Sequence, residues 1–179
     1  MGNETSGDWN NIDFDGLRYK KLDETYTESG YVHVKHTKYV EDLPKIKNKK
    51  QVNDTLFFKN DSIRVKIVKS KFIPQKHLLA KDGKFIIKID GKKPYGVDGD
   101  LPKTAITAIQ IIVGEAIIDI PKNELDDLFQ PSFVTPLVNI GEKGRIYLTM
   151  SNGDGAGGYA VGFVIKDRQF LKRYVFYGF

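Results

Sequence analysis

The chain has no cysteine among its 179 residues. Without a thiol it has no disulfide framework, no thiolate nucleophile and no cysteine-ligated zinc site. Long apolar runs are also missing, because polar residues and a glycine interrupt even the most apolar stretch, residues 105–120. A membrane helix needs about 18 consecutive apolar residues. We therefore predict no transmembrane segment.

Arginine is scarce, with five residues against 23 lysines, although the net charge is +5. The charge is uneven: residues 1–30 carry −4, residues 31–94 carry +11 and residues 95–179 carry −2. Base readout and phosphate binding favour arginine, so this composition argues against nucleic acid. Exposed lysines that only blunt sheet edges are the first explanation of such a region, and an electrostatic docking surface for an acidic protein partner is the alternative. The candidate basic docking surface comprises Lys45, Lys47, Lys49, Lys50, Arg64 and Lys66.

Constellations of catalytic residues are missing as well. Glu115 and Asp119 would lie about 13 Å apart on an extended strand, too far to share a glycosidic bond. Asp126 and Asp127 would point in divergent directions on a helix, and no G-x-S-x-G motif is present. The closest histidine pair, three positions apart on a predicted strand, would face opposite sides. These residues predict a non-catalytic protein with no cofactor and no metal.

What the sequence does contain is alternation typical of strands. Ile63, Val65 and Ile67 alternate with basic residues, and residues 159–165 repeat the pattern. Residues 1–29 are predicted to be an irregular polar segment, and residues 30–179 a single β-rich domain. The predicted fold is mainly β, a single antiparallel β-sandwich or open barrel. One short helix is predicted near 121–129, because Pro121 precedes apolar residues at helical spacing.

Residues 151–167, "SNGDGAGGYAVGFVIKD", contain the spacing G-x-G-x-x-G. A dinucleotide site needs these glycines to follow a strand and open a helix, but here they lie between two predicted strands. We therefore predict a long hairpin turn whose glycines adopt positive φ. The candidate contact loop comprises Asn152, Asp154 and Tyr159, with Asp98 and Asp100 in a second acidic turn. Neither turn has the spacing of a calcium cage.

The segments "IPKNELDDLFQP" and "GRIYLTMSNGDGAGGYAVGFVIKDRQFLKRYVFYGF" resemble small bacterial β-rich proteins of unassigned function, some of them similar to immunity proteins. The resemblance covers residues 84–179, and its marker is Asn-Gly-Asp-Gly-Ala-Gly-Gly-Tyr. It implies a bacterial protein and transfers no site residue.

Two hypotheses follow. In the first, the chain is a non-catalytic interaction protein, such as an inhibitor or immunity protein that blocks a partner protein. In the second, it is a protein of the bacterial envelope that binds a small ligand in a barrel-like cavity. The residues do not decide between a cytoplasmic protein and one exported after removal of a signal.

Overall fold

The fold is known from a computed structural model, which describes residues 9–13, 17–18, 29–33, 38–153 and 155–177. Within these ranges the regular structure is strands and short 3₁₀ turns, with no α-helix. The strands, numbered along the chain, are β1 Trp9–Asp13, β2 Leu17–Arg18, β3 Ser29–His33, β4 Lys38–Tyr39, β5 Lys49–Val52, β6 Thr55–Lys59, β7 Ile63–Lys71, β8 Leu79–Asp82, β9 Phe85–Ile89, β10 Thr104–Val113, β11 Ala116–Asp119, β12 Leu137–Ile140, β13 Ile146–Asn152, β14 Tyr159–Lys166 and β15 Gln169–Tyr177.

Two antiparallel sheets form the body of the protein. One has five strands in the order β11-β10-β7-β6-β5, and the other has four in the order β12-β13-β14-β15. The pairs β1–β3, β2–β4 and β8–β9 form separate two-stranded sheets, of which β2–β4 is parallel. The predicted mainly β fold is confirmed, and its arrangement is a β-sandwich with two distinct sheets.

The core lies between the two large sheets, where the inward side of each strand is apolar. Strand β7 buries Ile63, Val65 and Ile67 and exposes the basic residues between them. The corresponding residues of β14 are fully buried against them in the same cluster, which confirms the predicted alternation. Such a two-layer arrangement buries the apolar face of each sheet against the other.

Strand β14 is buried on its outer side as well. On this side of the four-stranded sheet, Val164 of β14 and Tyr147 of the neighbouring β13 pack against Val40 and Leu43 from the segment that precedes β5. A third cluster, around Phe72 and Phe129, lies beneath the β8–β9 hairpin. These layers cover the outer face of the four-stranded sheet and one end of the sandwich, so the outer face of the five-stranded sheet is the more exposed one.

The short helix predicted near residues 121–129 is present but shorter than expected. A single 3₁₀ turn covers Lys122–Glu124, and the backbone after it forms hydrogen bonds with another segment of the chain. The N–H of Tyr95 donates to the carbonyl of Asp127 at 2.8 Å, and the N–H of Phe129 donates to the carbonyl of Tyr95 at 3.0 Å. Because these groups pair with another segment, they are not free for helical bonds.

The segment predicted to be irregular, residues 1–29, contains β1, β2 and the first residue of β3. Strands β1 and β3 pair along five residues each, from Trp9 opposite His33 to Asp13 opposite Ser29. This corrects the prediction for residues 9–13 and 17–18. Backbone hydrogen bonds hold such a ladder together, so a polar sequence does not prevent it.

Candidate functional site

The glycine-rich segment joins β13 to β14 as a hairpin, as predicted. Gly153 and Gly155 have φ of 73° and 53°, and a 3₁₀ turn covers Gly155–Gly157. Because the chain continues as strand β14 and opens no helix, no helix N-terminus is present here to hold a pyrophosphate. The glycines serve a backbone conformation that other residues rarely adopt.

This hairpin packs tightly against a second turn. A Cβ at Gly157 would lie 3.1 Å from the carbonyl carbon of Val97, so only glycine fits there without displacement. Gly96 has φ of 84°, and a Cβ on it would meet the carbonyl oxygen of Phe129. The structure therefore brings together the two turns that the sequence analysis singled out separately.

The two turns border a cleft of about 590 Å³, called the end cleft here. Asp98 and Asp100 line it and are exposed, whereas Asp154 lies outside the described residues. The lining residues of the end cleft are Gly96, Val97, Asp98, Asp100, Leu101, Pro102, Lys103, Gln130, Gly153 and Gly155. Its mixture of acidic, basic and apolar groups selects no particular ligand.

Asn152 and Tyr159, the other members of the predicted contact loop, are buried beneath it. The side-chain oxygen of Asn152 accepts a hydrogen bond from the N–H of Ser132 at 2.9 Å. The Tyr159 hydroxyl donates to the carbonyl of Phe129 at 3.0 Å. Burial raises the pKa of Tyr159, and the Asp127 carboxylate adds to this, while the Asn152 amide partly offsets it. Both side chains hold the hairpin in place and do not face solvent.

Three of the carboxylates that were weighed for catalysis have a structural partner. Asp127 is 6% exposed and binds Arg173 through both oxygens, at 2.5 and 3.0 Å. Burial alone lowers the pKa of Arg173, but its hydrogen bonds and charge interaction with Asp127 outweigh this and raise it. Asp126 pairs with Lys92 at 2.7 Å, and Asp119 accepts from the side chain of Gln110 at 2.8 Å.

The outer face of the five-stranded sheet has a different character, because basic and apolar side chains alternate across its strands. We call the outward residues Lys50, Phe57, Lys59, Arg64, Lys66 and Ile112 the basic sheet face. The strand register sets them in two rows. One row runs Gln110, Lys66, Phe57, Lys50, and the other runs Ile112, Arg64, Lys59.

A groove of about 400 Å³ crosses the basic sheet face, and its wall is mostly apolar. Phe57 remains 38% exposed in it, and the four cations stand around its rim. Within the described part of the chain, none of these four cations forms an ion pair or a side-chain hydrogen bond. Aromatic side chains and arginine are enriched at protein interfaces, whereas lysine is depleted there, so Phe57 and Arg64 are the stronger indications of a binding surface.

The predicted basic surface is only partly one surface. Lys50, Arg64 and Lys66 meet at the groove, whereas Lys45 and Lys47 are exposed on the chain that precedes β5. Lys49 points the other way, and its ammonium group donates to the carbonyls of Val134 at 2.7 Å and Pro136 at 3.3 Å. Burial lowers the pKa of Lys49 accordingly.

Phe57, Lys59 and Ile112 belong to this surface and were missed from the sequence. The segment "TLFFK" has two adjacent phenylalanines, and alternation alone does not say which one faces the core. Register with β7 decides it: Phe58 is buried opposite Val65, and Phe57 faces outward opposite Lys66. Alternation within one strand carries no signal for this pairing, which only the register with the neighbouring strand establishes.

Among the described residues, no group of three histidine, aspartate or glutamate side chains is placed to hold a metal ion. Nor does that part of the chain contain a helix with the length and apolar character needed to cross a membrane. Comparisons of the chain with protein-family models, curated proteins and solved structures give no match.

Proposed function

We propose that the protein is a non-catalytic binding protein, of the inhibitor or immunity type, that docks an acidic protein partner on the basic sheet face. The observation that supports this is a groove with an apolar wall, whose rim carries four cations that form no ion pair with any described residue. An acidic partner would gain charge interactions with groups that are at present only solvated, while its apolar surface covers Phe57.

Two further features agree with the proposal. Three of the carboxylates weighed for catalysis are bound by Arg173, Lys92 and Gln110, so they have structural roles already. The resemblance of residues 84–179 to small bacterial β-rich proteins, some like immunity proteins, adds the expectation of a bacterial source and a toxin as the blocked partner. The alternative, a small-ligand protein with a barrel-like cavity, receives less support, since both clefts described above open at the surface of the sandwich.

The test is co-purification with the tagged full chain from its native host, using two charge-reversal variants. Lys66→Glu changes the centre of the basic sheet face, and Lys88→Glu makes the same change on an exposed position of β9. We expect a 1:1 complex with the unchanged chain and with Lys88→Glu. The complex with Lys66→Glu should be at least tenfold weaker, because a like charge then faces the partner.

Both substitutions are at exposed positions, so thermal unfolding should change little and serves as the folding control. The affinity should also fall as the salt concentration rises, since exposed charges are screened. A complex that forms equally well with Lys66→Glu would place the partner elsewhere and refute docking on this face.

A further inference from the structure

The rows of the basic sheet face have a spacing that an extended chain can match. Lys66, Phe57 and Lys50 stand on three neighbouring strands, in register across the sheet. Neighbouring strands are about 4.8 Å apart, so the backbone positions of Lys50 and Lys66 are separated by about 10 Å, with Phe57 midway. The face therefore offers cation, aromatic ring, cation in a straight line across the strands.

An extended peptide presents its side chains to one side at every second position. Positions i and i+4 of such a peptide are about 13 Å apart, and i+2 lies between them. Lysine has a flexible four-carbon stem, so Lys50 and Lys66 can close the remaining difference of a few ångströms. An apolar residue at i+2 would then lie in the groove over Phe57, with acidic residues at i and i+4 beside the two ammonium groups.

We propose that the basic sheet face recognises an extended protein segment of the pattern acidic-x-apolar-x-acidic, laid across strands β7, β6 and β5. This inference rests on the proposed function and names the chemistry of its partner. Lys59 and Arg64 form the second row, about 7 Å away along the strands, and can bind a carboxylate that flanks the segment.

A single-stranded nucleic acid fits this face less well. Platforms for unpaired bases present several aromatic rings for successive bases, but here one ring stands beside the aliphatic Ile112. A second copy of the chain is disfavoured too, since it would bring four cations against four cations. The four cations and the single exposed aromatic ring together favour an acidic peptide segment.

The experiment is an NMR titration of the ¹⁵N-labelled full chain with short capped peptides. The probe is Gly-Glu-Ser-Phe-Ser-Glu-Gly, and its rearranged control, Gly-Ser-Glu-Phe-Glu-Ser-Gly, has the same composition with both glutamates turned away from the phenylalanine side. For one anchor and two charge contacts we expect a Kd on the order of 10⁻⁴ to 10⁻³ M. Amide shifts should map to β5, β6 and β7.

We expect the rearranged peptide to bind at least threefold more weakly, and a peptide with serine in place of phenylalanine at least fivefold more weakly. Lys66→Glu should weaken binding of the probe at least tenfold, while Lys88→Glu should stay within twofold of the unchanged chain. Equal binding of the probe and the rearranged peptide would overturn the inference. So would binding of an eight-nucleotide thymidine oligomer that is tighter than that of the probe in the same buffer.

The two proposals fail separately. If the native complex is lost with Lys66→Glu but the partner's docking region lacks the acidic-x-apolar-x-acidic pattern, the recognition pattern is wrong and the docking face stands. If the native complex ignores Lys66→Glu, the docking face itself is wrong, whatever the peptides do.

Discussion

The ion pair between Asp127 and Arg173 allows a quantitative prediction, because a nearby exposed pair serves as its control. Asp127 is 6% exposed, and the Arg173 side chain is 16% exposed. The two hydrogen bonds from the Arg173 guanidinium to the Asp127 carboxylate connect β15 to the segment that follows the 3₁₀ turn at Lys122–Glu124. Asp127→Asn keeps the shape of the side chain but removes its charge, which leaves the guanidinium without its main partner.

The expected cost follows from burial and from the contacts that remain. Removing one member of a fully buried pair costs about 3–5 kcal/mol. Here Arg173 would still donate to the backbone carbonyl of Glu124 at 2.8 Å and would lie 3.4 Å from the carboxylate of Glu124. We therefore expect a cost below that range, about 2–3 kcal/mol, which corresponds to a fall in Tm of about 5–10 °C for a domain of this size.

The control substitution is Asp126→Asn, one residue away. Asp126 pairs with Lys92, and both side chains are more than a third exposed, so losing that pair should cost less than about 1 kcal/mol. Urea unfolding at pH 7, followed by circular dichroism, gives both values, and a double-mutant cycle with Arg173→Met isolates the coupling. If Asp127→Asn lies within about 0.5 kcal/mol of Asp126→Asn, the pair does not stabilise the fold as argued.

Three further predictions concern backbone conformation and pH. Arg168 is the second central residue of the two-residue turn between β14 and β15 and has φ of 61°, a conformation that glycine adopts without strain. Arg168→Gly should therefore raise the free energy of unfolding in urea by about 0.5–1 kcal/mol, and a lower free energy of unfolding would contradict backbone strain at this position. Gly96→Ala should prevent normal folding or cost several kcal/mol, because its Cβ would collide with the Phe129 carbonyl; near-normal thermal unfolding would contradict that packing. The hydrogen bond from His77 to Asp90, with a smaller contribution from the backbone, lowers the pKa of Asp90. The ionised Asp90 therefore stabilises the fold above its unfolded-state pKa, and this stabilisation is lost as the pH falls through its folded-state pKa. Because the His77–Asp90 pair is exposed, Asp90→Asn should lower the free energy of unfolding by less than about 1 kcal/mol at neutral pH and should not change it at the lowest pH. A destabilisation that grows as the pH falls would contradict the expected direction of the pH dependence.

The strands and their inward faces could be predicted from the sequence, because burial on one side of a sheet imposes a period of two. Tyr159, Val161, Phe163 and Ile165 follow that period and are all buried. The order of the strands could not be predicted in the same way, since alternation within a strand carries no information about its neighbour. Register between distant strands, such as β7 with β10, emerges only in the folded chain.

The shortness of the helix predicted near residues 121–129 has a different cause. Leu125, Leu128 and Phe129 have helical spacing, and all three are buried. They reach the core from a 3₁₀ turn and an extended segment, because Tyr95 and Ala105 pair with the backbone there. A few apolar residues at spacing three and four fit a helix and a turn equally well, and tertiary pairing decides between them.

The lysine-rich middle of the chain shows why a count of charges overstates a docking surface. Lys49 and Lys50 are adjacent, yet they point to opposite sides of β5, because successive residues of a strand alternate. Lys49 is held by two backbone carbonyls and joins the edge of the five-stranded sheet to the segment before β12. Lys50 faces the groove with Lys66, which is 16 residues later in the sequence and two strands away in the sheet. The surface available to a partner is thus determined by strand register, and a neutral or basic partner would leave these rim cations uncompensated next to a partly exposed Phe57.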